Sequence, residues 1–479
     1  MSHTDNLDRM SHIDNEDRMS NIDKNSGALT HEVSERRGFI RTVVAGATAI
    51  GAGTLAGCAT ASGTGPATGA SATAAAARPG FPAAFAGPGI ETVSGQAPYT
   101  LPRDHAYHGG AFYQTNDFNE WQYITILGKD LDTGDDISVF WVPLSQGWVA
   151  ADQRPLQIGL FSYHNIRTGE FHTALVYFTG KFNSEGTAPD AKDFRFKYSM
   201  NSPETGFTTA YTHANETWRF TAFSKVKKGK NEPFELDFTS VLRSPGYVPA
   251  GYFGLESIGI DPKDRQHPET MYGLTWYYIA PNMETNGTLK VAGKTIRFRG
   301  TGWFEKQWGN FRNTYQYRYF YGYARMKNGD MFSWRVYYEG QGFTKPHPGM
   351  SRYQFIDGKT GRREHAFGPA LTVEQTKWWT SPSTGQKYPW WGVMKTPKGT
   401  MYYGPSHPDQ EGVGLAGGFI EGVIQFREGS PEGPIVATGF CEIVDLSTPM
   451  ADGNDPSMGP AFTRGLPELP ELAWRPLPR

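Results

Sequence analysis

The sequence is poor in cysteine and has no surplus of charge of either sign. Cys58 and Cys441 are the only cysteines among 479 residues, and 46 Lys and Arg face 48 Asp and Glu, a formal net charge of −2. A charge so balanced gives no electrostatic reason to expect nucleic-acid binding. The sequence also lacks a Gly-x-Ser-x-Gly elbow and a phosphate loop. These absences leave no motif support for the common hydrolases or nucleotide-dependent enzymes, and no cofactor is predicted.

Aromatic and turn-forming residues are plentiful instead. Phe, Trp and Tyr make up 14% of the chain, which also has 57 Gly and 33 Pro. This composition favours strands over helices, and no long amphipathic helical pattern is found after about Leu101. A chain of this length is expected to form two or three folding units.

The first 57 residues are predicted to be an export segment. Residues 1–26 hold a polar, imperfect nine-residue repeat that has too few apolar residues to form a core, so disorder is expected; the alternative is a mispredicted start codon. Residues 36–41, Arg-Arg-Gly-Phe-Ile-Arg, resemble the twin-arginine export signal, except that Glu35 separates Ser34 from the arginine pair. The apolar run that follows is too short and too mild for a stable membrane span. The twin-arginine export machinery is therefore an expected partner.

Leu55-Ala56-Gly57-Cys58 matches the lipobox of bacterial lipoproteins, in which the cysteine thiol takes the lipid. The chain is expected to be anchored to a membrane surface in the cell envelope, on the periplasmic or extracellular side, with each buried CH₂ contributing ~0.8 kcal/mol. The alternatives are an uncleaved membrane tether, or cleavage at an alanine without lipid. Residues 58–100 would form a flexible tether rich in Ala, Gly, Ser, Thr and Pro. With Cys58 lipidated, Cys441 has no disulfide partner, and the fold must rest on its own core.

Strand signals dominate from about Leu101 onward. Five tyrosines recur at every second position, which places their rings on one face of a strand: Tyr315, Tyr317, Tyr319, Tyr321 and Tyr323. Hairpins are predicted around turns at 327–330, at Ala292-Gly293 and between residues 128 and 137. Regular strands with turn signals predict an all-β fold of barrels or sandwiches. A domain boundary is expected near residues 309–314.

Two clusters near these strands contain residues suited to chemistry. Asp104, His105 and His108 lie close enough to ligate a metal, but hydrogen bonds that fix a loop are the favoured interpretation, and no metal site is predicted. Glu305 stands among tryptophans in residues 300–309. A carboxyl beside indoles loses hydration, which raises its pKa as a general acid requires. The alternative for Glu305 is a salt bridge to Lys306 or to a nearby arginine.

Two further clusters lie later in the chain. Trp378-Trp379 and Trp390-Trp391 accompany Tyr388; tryptophans grouped in this way line an apolar pocket or, more often, belong to an ordinary core. His407 and Asp409 offer an acid/base pair in the segment 406–411, although a solvated loop is the favoured interpretation. Glu421 and Glu442 follow.

These clusters, in this order, resemble the lipocalin-like superfamily. It includes the carotenoid 1,2-hydratases (the hydroxyneurosporene synthase family), attachment-type bacterial proteins, fungal kievitone hydratase and fungal Diels–Alderases. Its first motif, Pro-x-Asp-His-x-x-His and then Glu-Trp-Trp-Tyr, matches residues 102–108 and 120–123, with Gln122 replacing the second Trp. Its Gly-x-x-Trp-x-Asp-His-x-Trp-Gly motif matches residues 300–309, with Glu305 where Asp is usual and Lys306 where His is common. Later elements fall at 388–391, 410–411, 421–422 and 439–442.

The resemblance covers about residues 101–446 and implies two tandem lipocalin-like antiparallel barrels, over 101–311 and 312–446, with a tail over 447–479. It implies a pocket for a hydrophobic, unsaturated molecule such as a terpenoid or polyene, whose C=C bond would be hydrated or isomerised. Glu305 would be the acid, and Glu120 and His105 would orient it or a water. The residues expected to line the pocket are Trp121, Tyr123, Tyr278, Trp303, Trp308 and Trp391. The alternatives are a non-catalytic carrier of a lipophilic ligand and a structural or attachment protein at the cell surface.

Overall fold

A computed structural model gives the fold of the body of the chain. It describes residues 99–108, 118–149, 155–178, 180–188, 191–251, 254–256, 274–310, 318–338, 343–346, 351–412 and 419–445. The predicted export segment, Cys58, Tyr315, Tyr317 and the tail at 447–479 lie outside these residues. No helix within the described ranges has the length and hydropathy needed to cross a membrane.

The first half of the body forms one curled antiparallel sheet. Its strands are β1 (Phe118–Asp130), β2 (Asp136–Val149), β3 (Pro155–Asn165), β4 (Phe171–Phe178), β5 (Lys181–Gly186), β6 (Arg195–Asn201), β7 (Thr205–Thr212), β8 (Thr217–Ser224), β9 (Phe234–Leu242), β10 (Val248–Pro249), β11 (Leu255–Glu256), β12 (Leu274–Val291) and β13 (Lys294–Asn310). The strand order is β4-β3-β2-β1-β13-β12-β9-β8-β7-β6-β5, with β10 and β11 also paired to β12. Short 3₁₀ helices cover Arg103–His105 and His213–Asn215.

The second half forms a second curled sheet. Its strands are β14 (Arg318–Met326), β15 (Met331–Tyr338), β16 (Arg352–Ile356), β17 (Arg363–Phe367), β18 (Thr372–Thr380), β19 (Lys387–Thr396), β20 (Gly399–Pro405), β21 (Glu411–Gly412), β22 (Phe419–Arg427) and β23 (Ile435–Asp445). The order is β17-β16-β15-β14-β23-β22-β20-β19-β18, with β21 on β22. A 3₁₀ turn covers Gly368–Ala370. The prediction of an all-β fold with two tandem lipocalin-like sheets is confirmed, and each sheet is a curled half-barrel.

All three predicted hairpins are present in the strand pairing. Strands β1 and β2 pair across the Asp/Gly turn, and β14 and β15 pair across the turn at 327–330. The hairpin of β12 and β13 closes at Ala292-Gly293, where φ is +50° and +76°. Two successive residues with positive φ match the right-handed twist of the strands, although alanine rarely adopts this conformation.

Each sheet curls around its own apolar core, and a third apolar cluster joins residues of both sheets. The third cluster includes Tyr123, Tyr277 and Trp303 from the first sheet with Tyr323 and Phe440 from the second. Successive side chains of a strand point to opposite faces. On β13, Trp303 and Glu305 therefore face the second sheet, while Phe304 and Trp308 belong to the first core. This alternation decides where each candidate site residue lies.

Candidate functional site

Strand β13 separates the polar candidates into two groups. We call the group on the face toward the second sheet the intersheet cluster: Tyr123, Glu256, Tyr277, Trp303, Glu305, Tyr321, Arg335, Arg352, Glu421 and Glu442. We call the group on the opposite face the first-core cluster: His105, His108, Glu120, Tyr278, Lys306 and Trp308.

Glu305 is the buried carboxyl of the intersheet cluster. Its Oε2 accepts a hydrogen bond from the Tyr277 hydroxyl at 2.6 Å, and its Oε1 accepts one from the Trp303 indole N–H at 2.6 Å. Burial raises the pKa of Glu305 to about 7, because loss of hydration outweighs these two hydrogen bonds. A carboxyl in this state both donates and accepts protons near neutral pH, which is the property predicted from its tryptophan neighbours.

A second carboxyl pair lies on the same face. Glu421 of β22 and Glu442 of β23 stand directly opposite each other in the strand register, so their side chains are neighbours. Burial and the adjacent Glu442 hold the pKa of Glu421 well above its usual range. The Tyr123 hydroxyl donates to Glu421 Oε2 at 3.4 Å. In sequence the two glutamates appeared only as family elements, and their pairing depends on the register of β22 and β23.

Hydroxyl groups extend from Glu305 toward the second sheet. The Tyr277 hydroxyl lies 3.1 Å from that of Tyr321, and Tyr321 stands opposite Glu442 in the pairing of β14 with β23. The ring of Trp303 stacks on Tyr323 with 4.3 Å between centroids and 4° between planes. Aromatic faces and hydroxyls thus surround Glu305.

Arginines contact the same face from the second sheet. Glu256 of β11 accepts a hydrogen bond from Arg352 Nε at 2.7 Å, and Arg352 Nη2 lies 2.6 Å from the same carboxylate oxygen. Arg335 Nη1 lies 3.8 Å from the other oxygen of Glu256. The Arg335 guanidinium lies 4.5 Å from the centroid of the Tyr321 ring. Sequence reasoning missed all three residues, because no local motif links positions 256, 335 and 352.

The first-core cluster is built around a buried ion pair between Lys306 and Glu120. Glu120 also receives the backbone N–H of His108 at 2.8 Å, and the His108 Nδ1 lies 3.1 Å from its other oxygen. Burial alone would raise the pKa of Glu120, but the charges of Lys306 and His108 hold it below its usual value. The His108 ring stacks on Trp308 at 4.4 Å.

His105 is fully enclosed in aromatic rings of the first core. Its Nδ1 lies 2.6 Å from the Tyr278 hydroxyl, and the rings of Tyr211 and Tyr247 stand within 5 Å of its own, at 4.5 and 4.6 Å. Burial holds the pKa of His105 well below its usual value, so the ring is neutral.

The structure therefore does not bring the three predicted catalytic residues together. Glu305 faces the second sheet, while Glu120 and His105 face the first core, so the expectation that they orient Glu305 is not supported by the geometry. The physical reason is strand parity, since neighbouring positions 305 and 306 point in opposite directions. Lys306 pairs with Glu120 rather than with Glu305.

The predicted pocket residues are divided in the same way. Trp303 and Tyr123 lie beside Glu305 in the intersheet cluster, and Trp121 packs on the third apolar cluster. Tyr278 and Trp308 belong to the first core. Trp391 lies on the second sheet and lines a groove of about 410 Å³, where Lys377 Nζ stands 4.4 Å from its ring centroid. Across the described ranges, no set of three or more His, Cys, Asp or Glu residues is arranged to hold a metal ion.

Residues 257–445 match the family model described as AttH-like. This match covers less than half of the chain's 479 residues. The matched part includes Glu305, Arg335, Glu421 and Glu442 of the intersheet cluster. No curated protein matches the sequence significantly.

Solved structures resemble this chain to different degrees. An AttH structure from Nitrosomonas europaea has a TM-score of 0.54 at 16% identity and covers 74% of this chain and 98% of its own. Kievitone hydratase from Nectria haematococca has a TM-score of 0.47 at 18% identity, covering 71% and 93%. CghA with Sch210972 has a TM-score of 0.44 at 10% identity, covering 69% and 88%. The likeness to the Nitrosomonas structure shows a common fold.

Proposed function

We propose that this protein is an enzyme that protonates a C=C bond of a hydrophobic, unsaturated small molecule, of terpenoid or polyene type, and so hydrates or isomerises it. The observation that carries the proposal is the buried Glu305 carboxyl, whose pKa of about 7 keeps it partly protonated at neutral pH. General acid–base catalysis is most effective when the pKa lies near the working pH.

The reaction balances with Glu305 alone as the proton carrier. Protonated Glu305 gives its proton to one alkene carbon and becomes a carboxylate, and the other carbon becomes cationic. In isomerisation the carboxylate takes a proton from the carbon next to the cation, and the double bond forms at the new position. In hydration a water molecule adds to the cation and gives its proton to the carboxylate.

The neighbours of Glu305 suit these steps. Tyr277 and Trp303 each donate one hydrogen bond to a separate carboxyl oxygen, which fixes the orientation of the group. The stacked faces of Trp303 and Tyr323 lie beside it, and aromatic faces attract cations by ~0.5–2 kcal/mol each. The site thus offers both a proton and stabilisation for the cation that protonation creates.

Turnover by purified protein tests the proposal. Candidate polyenes and terpenoids are incubated in D₂O, and mass spectrometry detects either the gain of one water or deuterium on carbon. Glu305→Gln keeps the shape of the side chain but carries no titratable proton, so the rate should fall about 100-fold or more. Glu284→Gln is the matched control, because Glu284 lies on β12 as an exposed partner of Arg243.

The same experiment addresses the alternatives. Full activity in Glu305→Gln would remove Glu305 from the mechanism. Tight binding of a polyene without any product would favour a carrier, and neither binding nor turnover would favour a structural role at the cell surface.

We further propose that the protein is exported and lipid-anchored in the cell envelope. The proposal is supported by the sequence alone, through the twin-arginine pattern at 36–41 and the lipobox that ends at Cys58. Labelling of cells with radioactive palmitate, compared between the wild type and Cys58→Ala, tests the anchor. Loss of label in the variant is expected, and equal label in both proteins would refute the anchor.

A further inference from the structure

We propose that Arg335 binds an acidic group of the ligand, so that the hydrophobic molecule accepted by the intersheet cluster is a carboxylic acid rather than a hydrocarbon or an alcohol. This inference rests on the proposed function, because it places the ligand beside Glu305. It adds a specificity determinant on the second sheet that the sequence motifs do not contain.

The first support is the balance of charge where β11, β15 and β16 meet. Arg335 and Arg352 are 5% and 1% exposed, and Glu256, which lies between them, is fully buried. Arg352 takes one Glu256 oxygen through contacts of 2.7 and 2.6 Å. Arg335 approaches the other oxygen only to 3.8 Å, beyond hydrogen-bond distance. The Glu256 carboxylate thus lies between two guanidinium groups, but it forms its close contacts with Arg352 and not with Arg335.

The second support is the hydrogen bonding of Arg335 itself. A guanidinium has five N–H donors, yet the described hydrogen bond of Arg335 is one of 3.3 Å to the Tyr337 hydroxyl. Its Nε has no hydrogen-bond partner among the described residues. The other buried carboxyls of the cluster are engaged elsewhere, Glu305 with Tyr277 and Trp303, and Glu421 with Tyr123. A buried charge without a hydrogen-bonded counter-charge is costly, and an incoming anion would relieve that cost.

The surroundings of Arg335 also fit an amphipathic acid. Its guanidinium lies 5.6, 4.5 and 5.9 Å from the ring centroids of Tyr319, Tyr321 and Tyr337. These rings fix the plane of the guanidinium fork and offer apolar surface to the carbon chain of a ligand. A carboxylate matches that fork with two parallel hydrogen bonds.

A series of contacts connects Arg335, the proposed binding residue for the acid group, to Glu305, the proposed proton donor. Arg335 stacks on Tyr321, the Tyr321 hydroxyl lies 3.1 Å from that of Tyr277, and Tyr277 donates to Glu305 at 2.6 Å. A ligand held at Arg335 by its acid group would therefore present carbons a short distance along its chain to Glu305. The geometry predicts reaction at a double bond near the acid end of the molecule.

Paired ligands that differ only in the acid group test the proposal on the full-length protein. Quenching of tryptophan fluorescence gives the Kd of all-trans-retinoic acid and of retinol, and of oleate and oleyl alcohol. The wild type should bind each acid at least about tenfold more tightly than its alcohol, as expected for one charge-assisted hydrogen-bonded pair.

Substitutions test whether Arg335 causes the preference for acids over alcohols. Arg335→Met should bring acid and alcohol to within about twofold without weakening the binding of the alcohols, and Arg335→Lys should keep part of the preference. Arg325→Met is the matched control, because Arg325 lies on β14 and donates to the Pro281 carbonyl at 2.7 Å, so the preference should remain. Thermal unfolding checks that each variant folds. Arg335→Met is expected to fold, because Arg352 still neutralises Glu256.

The outcomes separate this inference from the proposed function. Equal affinity within both pairs, no binding of any of the four compounds, or a preference that Arg335→Met retains would overturn the inference. Turnover that depends on Glu305 without an acid preference would leave the proposed function standing alone. A preference for acids that depends on Arg335, with no polyene or unsaturated acid converted, would support acid binding by Arg335 and refute the proposed reaction.

Discussion

The raised pKa of Glu305 predicts how the stability of the protein depends on pH. The carboxyl titrates near 4.5 when hydrated and at about 7 in the buried site. Between these values the folded state holds a proton that the unfolded state has released, so stability falls as the pH rises. The difference of about 2.5 pH units corresponds to roughly 3 kcal/mol at 1.36 kcal/mol per unit. This cost is absent at low pH and fully present above about pH 7.

Glu305→Gln isolates this contribution, because the neutral amide resembles the protonated acid at every pH. Urea unfolding of the wild type and the variant is followed by tryptophan fluorescence between pH 4.5 and 8. The free energy of unfolding of the variant, relative to the wild type, should rise by about 3 kcal/mol across this range. Glu284→Gln, on the exposed surface, provides the baseline. A difference between wild type and Glu305→Gln that stays constant with pH would refute the assignment of a raised pKa to Glu305.

Three further predictions follow from the described contacts. The rate of the proposed reaction should fall as the pH rises through about 7, because the protonated form of Glu305 is lost; a flat kcat/KM profile from pH 6 to 8 would contradict this. Glu120→Gln should destabilise the fold by about 3–5 kcal/mol, because it leaves the buried Lys306 ammonium unpaired. In urea unfolding, the double variant with Lys306→Met should recover most of this loss. A double variant that is no more stable than Glu120→Gln would argue against the ion pair. Ala292→Gly should stabilise the hairpin of β12 and β13 by ~0.5–1 kcal/mol, because Ala292 has a φ of +50°; an unchanged or lower unfolding midpoint would count against strain at this turn.

Local patterns were sufficient to predict the secondary structure and the chemical character of Glu305. The alternation of tyrosines at 319–323 and the Ala292-Gly293 turn each depend on a few adjacent residues, and both match the strand pairing. The tryptophan neighbours of Glu305 in sequence indicated its burial, which raises its pKa, whereas the hydrogen bond from Trp303 lowers that pKa. Properties set by neighbours in sequence were thus accessible before the fold was known.

The composition of the intersheet cluster was not accessible in this way. Glu256, Arg335 and Arg352 meet because three strands far apart in the chain converge, and no spacing in the sequence encodes that contact. The separation of Glu305 from Glu120 was inaccessible for a different reason. Parity alone places residues 305 and 306 on opposite faces of β13, but which face Glu120 shares depends on the pairing of β1 with β13. The order of the motifs in the resembled family singled out Glu120 and Glu305, but it did not indicate that they lie on opposite faces of the sheet.

The two-sided construction of β13 has a consequence for substitutions along this strand. Even positions of its central part, such as 304, 306 and 308, belong to the first core, and the odd positions 303 and 305 serve the intersheet cluster. Substitutions at the even positions can therefore alter the first core without altering the intersheet cluster, although even and odd positions alternate along one strand. The ammonium of Lys306 is matched by the carboxylate of Glu120, and this pair lies on the other face of the strand from Glu305. A paired substitution at positions 120 and 306 can thus change the first core while the acid on the other face of the strand keeps its neighbours.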